Sequence, residues 1–406
     1  MNPRSVPIKR LSLRQYKSIE HCDFDLGPLT VLVGRNGVGK SNILDALSFV
    51  TDALRNTLEY ALRSRGGIAQ VRRKSASKPT TPGISLEITL PDGSEATYAF
   101  GISTVQGATF KVRNEECVVR KAGGSVTHRF TSRDSRLTDW TPTSPAPPTS
   151  PDRLFLVAAS GLPEFRPVYD VLTRMVFHNL NPESMKAPRR PEPGSLLARD
   201  GSNLASVIKQ LAATSPDKLD RVLRYIQAIG VPIRKIEHKQ AGSLETFQVL
   251  QERGENSRDA NFEAIALSDG TIRALGILVS LVSVGPEGTA GPSLIGIEEP
   301  ETALHPAASH ALMDALTEGS DSAQIIVTCH SPDLLEHRDL KPDMIRVVIL
   351  EDGGTRVGVL SGPKKELLQS HLTTPGELLR LDQFEPDPDD LRRQEEAKGT
   401  FWESEA

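Results

Sequence analysis

The sequence predicts an α/β protein built around a phosphate-binding loop, with an antiparallel β insert and a helical subdomain. Three observations predict it. GRNGVGKSN at 34–42 lies between an apolar strand-like run and an amphipathic helix. Residues 264–350 alternate helical and strand-like stretches, the order of α/β folds. Residues 84–132 instead alternate apolar and polar positions around turn residues, as antiparallel hairpins do.

Taken in order, residues 8–34 read as two strands and a turn: IKRLSLRQYKSI alternates, FDLGP turns, and LTVLVG is a short buried strand. In SNILDALSFVTDALRNTLEYALRSR, Ile43, Leu44, Leu47, Val50 and Leu54 recur at helical spacing, predicting one long helix that Arg65-Gly66-Gly67 ends. A basic loop follows. ISLEITLPDGSEATYAFGIS predicts a hairpin around Pro91-Asp92-Gly93, and further strands follow with a Gly-Gly turn. Residues 133–152 are rich in Pro, Ser and Thr and read as a mobile connection. Residues 163–230 read as helical, with Ser202 or Asn203 and then Ser215-Pro216-Asp217 as start signals. Strands return at 232–251, and the tail from about 381 is acidic, Pro-rich and expected to fray.

This divides the chain into 1–132 (phosphate loop and β insert), 133–230 (connection and helical subdomain), 231–365 (acidic strand and its neighbours) and 366–406 (helix and acidic tail). No internal repeat and no long heptad run occurs.

Composition sets bounds. The 406 residues are 38% hydrophobic and 25% charged, an ordinary globular make-up with ample core. The net charge of −4 does not mark a nucleic-acid binder in bulk, although local patches can exist. Cys22, Cys117 and Cys329 lack metal-ligand spacing and read as reduced thiols. The N-terminus has no apolar signal core, and no run of about twenty apolar residues occurs, so no membrane span and a cytoplasmic location are expected.

Gly34, Gly39, Lys40 and Ser41 match G-x-x-x-x-G-K-[ST]. Glycines let backbone N–H groups turn inward around a β-phosphate, and the helix N-terminus adds positive potential. Lys40 is expected on the β/γ oxygens and the Ser41 hydroxyl on Mg²⁺, with Arg35, Asn36, Gly37, Val38 and Asn42 completing the loop. Chance gives such a match in on the order of one chain in a hundred of this length. The flanking strand and helix favour a real nucleotide grip.

SLIGIEEPE is an apolar strand running into paired carboxylates. Glu298 is expected on the metal side, and Glu299 as the base that orients or deprotonates a water. The bland alternative is a solvated strand end. Ser268, Asp269 and Gly270 open an apolar helix and can present a hydroxyl and N–H groups to an anion, or simply cap it. AQIIVTCHSP is another buried strand, ending at His330, a residue that can reach a γ-phosphate or a water or serve structure alone.

The order of these motifs resembles the ABC-type ATPase head of RecF, SMC and OLD-family proteins. It is more closely similar to compact bacterial AAA family ATPases of that head type, which carry no long coiled coil. The matching residues are LRQYKSIEHCDFDLGPLTVLVGRNGVGKSNILDAL, RGG, LSDGTIRAL, IEEPETALHP and CHSP, covering roughly residues 8–365 with an interruption at 133–200.

The resemblance implies an ABC-type P-loop NTPase head that hydrolyses ATP with Mg²⁺. It also implies a homodimer on ATP binding, with two ATP molecules between protomers. Ser268 and Gly270 would then touch the γ-phosphate in trans, and Tyr16, Lys17 and Ser18 would approach the nucleotide. Glu299, His330 as the switch histidine, and Lys40 would carry catalysis. The family's usual Asp is here Glu298, as in OLD-like relatives, and Ser-Asp-Gly-Thr in the signature argues against a transporter subunit. Gln70 and Gln106 are the two candidates for the glutamine loop, and neither is assigned.

The implied role is an ATP-driven switch in DNA repair or in defence against phage or plasmids. The alternative is a slow-hydrolysing module that holds or releases a separate effector. No nuclease is expected here, and DPDD at 387–390 reads as solvated tail. Arg63, Arg65, Arg72, Arg73, Lys74 and Lys78, with Lys186, Arg189 and Arg190, are either a phosphate-backbone track for DNA or solvated loops.

Overall fold

A computed structural model describes residues 6–74, 80–104, 109–121, 124–252, 259–282, 291–302 and 304–397. Among these, sixteen strands run in chain order: β1 (Ile8–Tyr16), β2 (Ile19–Asp25), β3 (Leu29–Val33), β4 (Gly83–Thr89), β5 (Glu95–Thr104), β6 (Phe110–Arg120), β7 (Val126–Arg133), β8 (Arg136–Trp140), β9 (Val176–His178), β10 (Ile233–Ala241), β11 (Leu244–Gln251), β12 (Ala260–Glu263), β13 (Leu294–Glu298), β14 (Gln324–Cys329), β15 (Ile345–Glu351) and β16 (Gly354–Val359). The chain forms two compact units. They cut it differently from the four segments above, because contacts follow sheets while motifs follow the chain.

The first unit comprises Val6–Met175, Pro342–Leu372 and Asp382–Ala406. Its strands lie in the order β8-β7-β6-β5-β4-β1-β2-β16-β15-β3. The run from β8 to β2 is antiparallel throughout, which is the predicted insert joined to the N-terminal hairpin. β15 pairs in parallel with β3, whose five residues are all buried, as its unbroken apolar run requires. The helix Lys40–Arg55 buries Ile43, Leu47 and Val50, and its Phe49 sits between Tyr16 of β1 and Phe100 of β5 at centroid distances of 6.0 and 6.3 Å.

Four sequence readings need correction here. IKRLSLRQYKSI holds β1, a reversal and the first residue of β2, since the chain turns back between Tyr16 and Ile19 with Lys17 at φ 49°. The long helix breaks at Asn56, and Thr57 caps a second helix, Leu58–Arg63, by accepting from the Tyr60 N–H. The connection 133–152 contains β8, whose Trp140 packs edge-on against Phe155. The described tail is docked: the helix Pro388–Glu396 is capped by Asp387, and Gln394 is 4% exposed. Gln394 bonds His21 through its carbonyl, and its side chain bonds the Asp23 N–H and the Val357 carbonyl. Within DPDD, Asp387 caps the helix and Asp390 accepts the Val359 N–H, so these two acids are structural, whereas Asp389 is exposed.

Among the described residues, the second unit comprises Val176–Lys341 and Thr373–Leu381. Here β13 lies between β9 and β14, all parallel, with Ile295 level with Val176 and Ile325. The helix Asp269–Val282 is apolar nearly all round and buried accordingly. A Cβ on its Gly276 would sit 2.4 Å from the terminal methyl of Met185, which would have to move aside. A separate antiparallel sheet, β10-β11-β12, packs against the helices Leu204–Thr214 and Pro216–Ala228.

One buried carboxyl in the first unit fastens the insert to the chain that follows it. Glu115 on β6 accepts from the Tyr98 hydroxyl at 2.9 Å and from the Phe155 and Leu156 N–H groups, which open a short helix. Burial pushes its carboxyl up to about 7, against the pull of those donors. The folded chain therefore keeps a proton that the unfolded chain releases, and stability from this group is full below the ordinary 4.5 and lost as pH rises towards about 7. Thermal melts should fall over that interval, and Glu115→Gln should flatten the slope. Glu115→Ala, which strands three donors, should lower stability by about 3 kcal/mol in chemical denaturation. A pH-independent melt in the wild-type chain would refute this account.

Candidate nucleotide-binding and hydrolysis site

The phosphate loop leaves β3 and enters the helix Lys40–Arg55 at its N-terminus, where Gly39 is the N-cap at φ 103°. Gly37 also lies at φ 79°, so both glycines hold a left-handed backbone that an L side chain would strain. The wall behind the loop explains Gly34 and Gly39 further. A Cβ on Gly34 would lie 2.1 Å from the Val348 carbonyl, and one on Gly39 would lie 2.2 Å from the Thr355 hydroxyl.

Thr355 was not anticipated. It is fully buried on β16, donates to the Val38 carbonyl at 2.7 Å and lies 2.6 Å from the Ser18 hydroxyl. Asn42 in turn donates to Ser18 at 2.7 Å. Three side chains far apart in sequence thus fix the loop from beneath. No sequence signal marks Thr355, because its role comes from β16 passing under the loop.

Lys40 donates to the carbonyls of Gly34 at 2.6 Å and Arg35 at 2.9 Å. A phosphate would replace those acceptors with charged oxygens, a stronger match for an ammonium. Ser41 is exposed on the first helical turn, as are Arg35 and Asn36 in the loop, and Arg35 pairs with Asp382. The donors, the open Gly37 and the lysine fit a polyphosphate.

The loop helix itself carries Asp45. Its carboxylate takes the Tyr16 hydroxyl at 2.7 Å, the Lys17 ammonium at 2.5 Å and the Arg65 guanidinium at 2.8 Å. Burial pushes the Asp45 carboxyl up, but the Arg65 charge and then Lys17 outweigh it and hold it below the usual carboxylate range. Tyr16, Lys17 and Ser18 therefore brace the loop and its helix.

The second cluster lies in the other unit. Glu298 ends β13, and Glu299 follows at φ 44°, an uncommon conformation for a residue with a side chain. The Glu299 N–H donates to the Thr328 carbonyl and hydroxyl at 3.2 and 3.0 Å, which locks the turn. Its carboxylate lies 3.5 Å from His330 Nδ1 and accepts from the Thr302 hydroxyl. Glu298 and Glu299 share a small pocket with His178, Leu180, Arg273 and Pro300. Burial pulls the His178 imidazole down to about 4, so it is neutral at pH 7. Glu301 was quoted in the motif without a role. It is buried and accepts the N–H groups of both His330 and Ser331.

Ser268 caps the helix Asp269–Val282, accepting from the Thr271 N–H at 3.2 Å, and remains exposed. Asp269 pairs with Lys186 at 2.6 Å, and Gly270 lies in the first turn. Gln70 is exposed on the short helix Ile68–Val71, whereas Gln106 falls outside the described residues. The basic groups divide. Arg65 is committed to Asp45 and Asp52, Arg73 to Glu20 and Lys186 to Asp269. Arg63, Lys74, Arg189 and Arg190 are exposed, Arg72 is half-buried, and Lys78 lies outside the described residues. No helix among the described residues is long and apolar enough to cross a membrane.

Comparisons with known proteins agree with this geometry. Residues 29–336 match the family described as "AAA domain, putative AbiEii toxin, Type IV TA system". The chain is 36% identical over 127 residues to structural maintenance of chromosomes protein 1 of Schizosaccharomyces pombe, covering 29% of this chain and 10% of that protein. It is 46% identical over 43 residues to the OLD nuclease of Thermus scotoductus, covering 11% of this chain and 8% of that one. It thus spans about a tenth of the length of these relatives. Its fold is that of an SMC head solved bound to the C-terminal winged-helix domain of ScpA, with TM-score 0.52 at 15% identity over 88% of this chain and 99% of that one. The ABC-type head and the mixed α/β class are the ones the motifs predicted.

Thr355→Val keeps the shape but strands the Val38 carbonyl and removes the link to Ser18. It should leave circular dichroism unchanged and weaken ATP binding about tenfold in titration calorimetry, in line with one or two lost buried bonds. Wild-type affinity in that variant would show that the wall does not set the loop.

Proposed function

This chain belongs to the AAA-domain ATPase family matched over residues 29–336, and from that premise we propose that it binds and hydrolyses ATP as an ATP-sandwiched homodimer. The observation that carries the reading is Glu299. A carboxylate is held at a strained turn 3.5 Å from an imidazole, in a chain that also carries a fully formed phosphate loop. Gly34–Asn42 would bind the phosphates, with Lys40 on the β/γ oxygens. Ser41 and Glu298 would hold Mg²⁺, which neutralises phosphate charge when bound. Glu299 would take the proton of the attacking water, and His330 would orient the water or the γ-phosphate. Ser268, Asp269 and Gly270 of a second protomer would cap the same nucleotide, a role for which exposed Ser268 is chemically suited.

The coupled task is a DNA transaction, in repair or in defence against phage or plasmids. The names of the matched family, a toxin of a toxin–antitoxin system, and of the OLD nuclease support defence, and the chromosome-maintenance relative supports DNA. One observation favours a second reading. Glu298 would stand on the metal side where the family's usual residue is Asp, and the longer side chain suits slow turnover in a module that retains a separate effector.

Glu299→Gln should keep ATP affinity and lose phosphate release by about 100-fold or more, while light scattering reports a doubled mass with ATP. Lys40→Ala should lose ATP binding itself. Unchanged phosphate release in Glu299→Gln removes that residue as the base, and a monomer with ATP bound removes the sandwich.

A further inference from the structure

Glu301 is a buried acid with an unusual use of its two oxygens. It is 7% exposed. Oε1 accepts the His330 N–H at 3.0 Å and the Ser331 N–H at 3.2 Å. The same oxygen lies 3.7 Å from His330 Nδ1, and Glu299 Oε1 lies 3.5 Å from that nitrogen. Oε2 is buried without a hydrogen-bond partner among the described residues, as is His330 Nδ1. A buried carboxylate is costly unless it accepts several donors. This one does so by closing the end of β14 onto the turn that follows β13.

We propose that Glu301 is a positioning residue that makes the turn of Glu299 and the His330–Ser331 segment one rigid piece. It also fixes His330 with its proton on Nδ1, facing the two carboxylates. Nε2 is then the nitrogen turned away from them, the one able to meet water or phosphate. An imidazole whose Nδ1 is walled by two carboxylate oxygens is driven to that tautomer, because a lone pair on Nδ1 would face like charge. The distance between Glu299 and His330 is thereby set by a third side chain that touches neither nucleotide nor water. The inference builds on the roles proposed above for Glu299 and His330, but its structural part is measurable without turnover.

The test uses the full chain, its Glu301→Gln and Glu301→Ala variants, and ¹⁵N–¹H correlation of ring and backbone nitrogens. The wild-type chain should show His330 as the Nδ1–H tautomer, with slow exchange of the His330 and Ser331 amides. Glu301→Gln retains a carbonyl oxygen for both N–H groups and should keep that protection. Glu301→Ala should speed exchange of those two amides about tenfold or more, with the rest of β14 unchanged. In ATP turnover, Glu301→Ala should lower kcat about tenfold with KM for ATP within about twofold, and Glu301→Gln should recover most of it. An Nε2–H tautomer in the wild-type chain, or unaltered amide exchange in Glu301→Ala, overturns the proposal. A wild-type chain without ATP turnover overturns the function proposed above, and the tautomer and exchange then still decide the role of Glu301.

Discussion

The phosphate loop stands on one carboxylate. Asp45 gathers a hydroxyl from the end of β1, an ammonium from the turn after it and a guanidinium from the segment after the second helix. Two donors come from the end of β1 and its turn and the third from beyond the second helix, so Asp45 fixes the rotation of the loop helix relative to the sheet. The turn that Lys17 anchors delivers Ser18 to Thr355, and Thr355 holds the Val38 carbonyl. Without that sequence of contacts, Gly37 and Gly39 would be free to relax out of the left-handed region, and the N–H groups of the loop would lose their common direction. Buried ion pairs stabilise little in net terms, yet removing one partner is costly, so specificity of geometry is the gain here.

The two clusters handle charge in opposite ways. Around the loop, cations rest on neutral carbonyls or on acids that are already neutralised, so Lys40 can exchange partners without leaving a buried charge behind. Around β13, carboxylates outnumber cations. Glu298 and Glu299 stay half-exposed, where water bears part of their repulsion, and only Glu301 is drawn inside, by backbone N–H groups rather than by a counter-ion. Such a place suits a cation or a water being deprotonated, and the loop suits an anion.

Motifs that act through the backbone were legible in the sequence. The glycine spacing of 34–42, the apolar run into Glu298 and the hairpin around Asp92 each state their own geometry locally. What stayed hidden depends on partners distant in sequence. The reversal at Lys17 lacks Gly, Asn or Pro, because Asp45 rather than turn chemistry holds it. The break at Asn56 has no proline, though Thr57 followed by Glu59 and Tyr60 carries the polar start of a new helix. Asp387-Pro388-Asp389-Asp390 does spell a helix start, with a capping acid, proline at the first position and acids in the first turn, although the same run of acids also fits a solvated tail. Glu301 was unreadable for a different reason: its partners are main-chain groups of another strand.

The pairing order also constrains how the chain can be made. β3, which launches the loop, pairs with β15, and β2, paired early with β1, gains its second neighbour only with β16 and the helix Pro388–Glu396. Thr355, the floor of the loop, is likewise more than 300 residues from Val38. On a ribosome, the N-terminal hairpin and insert can assemble early from local contacts, but the nucleotide grip cannot close until nearly the whole chain has emerged. Until then an open sheet edge and an apolar helix face are exposed. The floor of the loop is therefore among the last parts of the fold to be laid down.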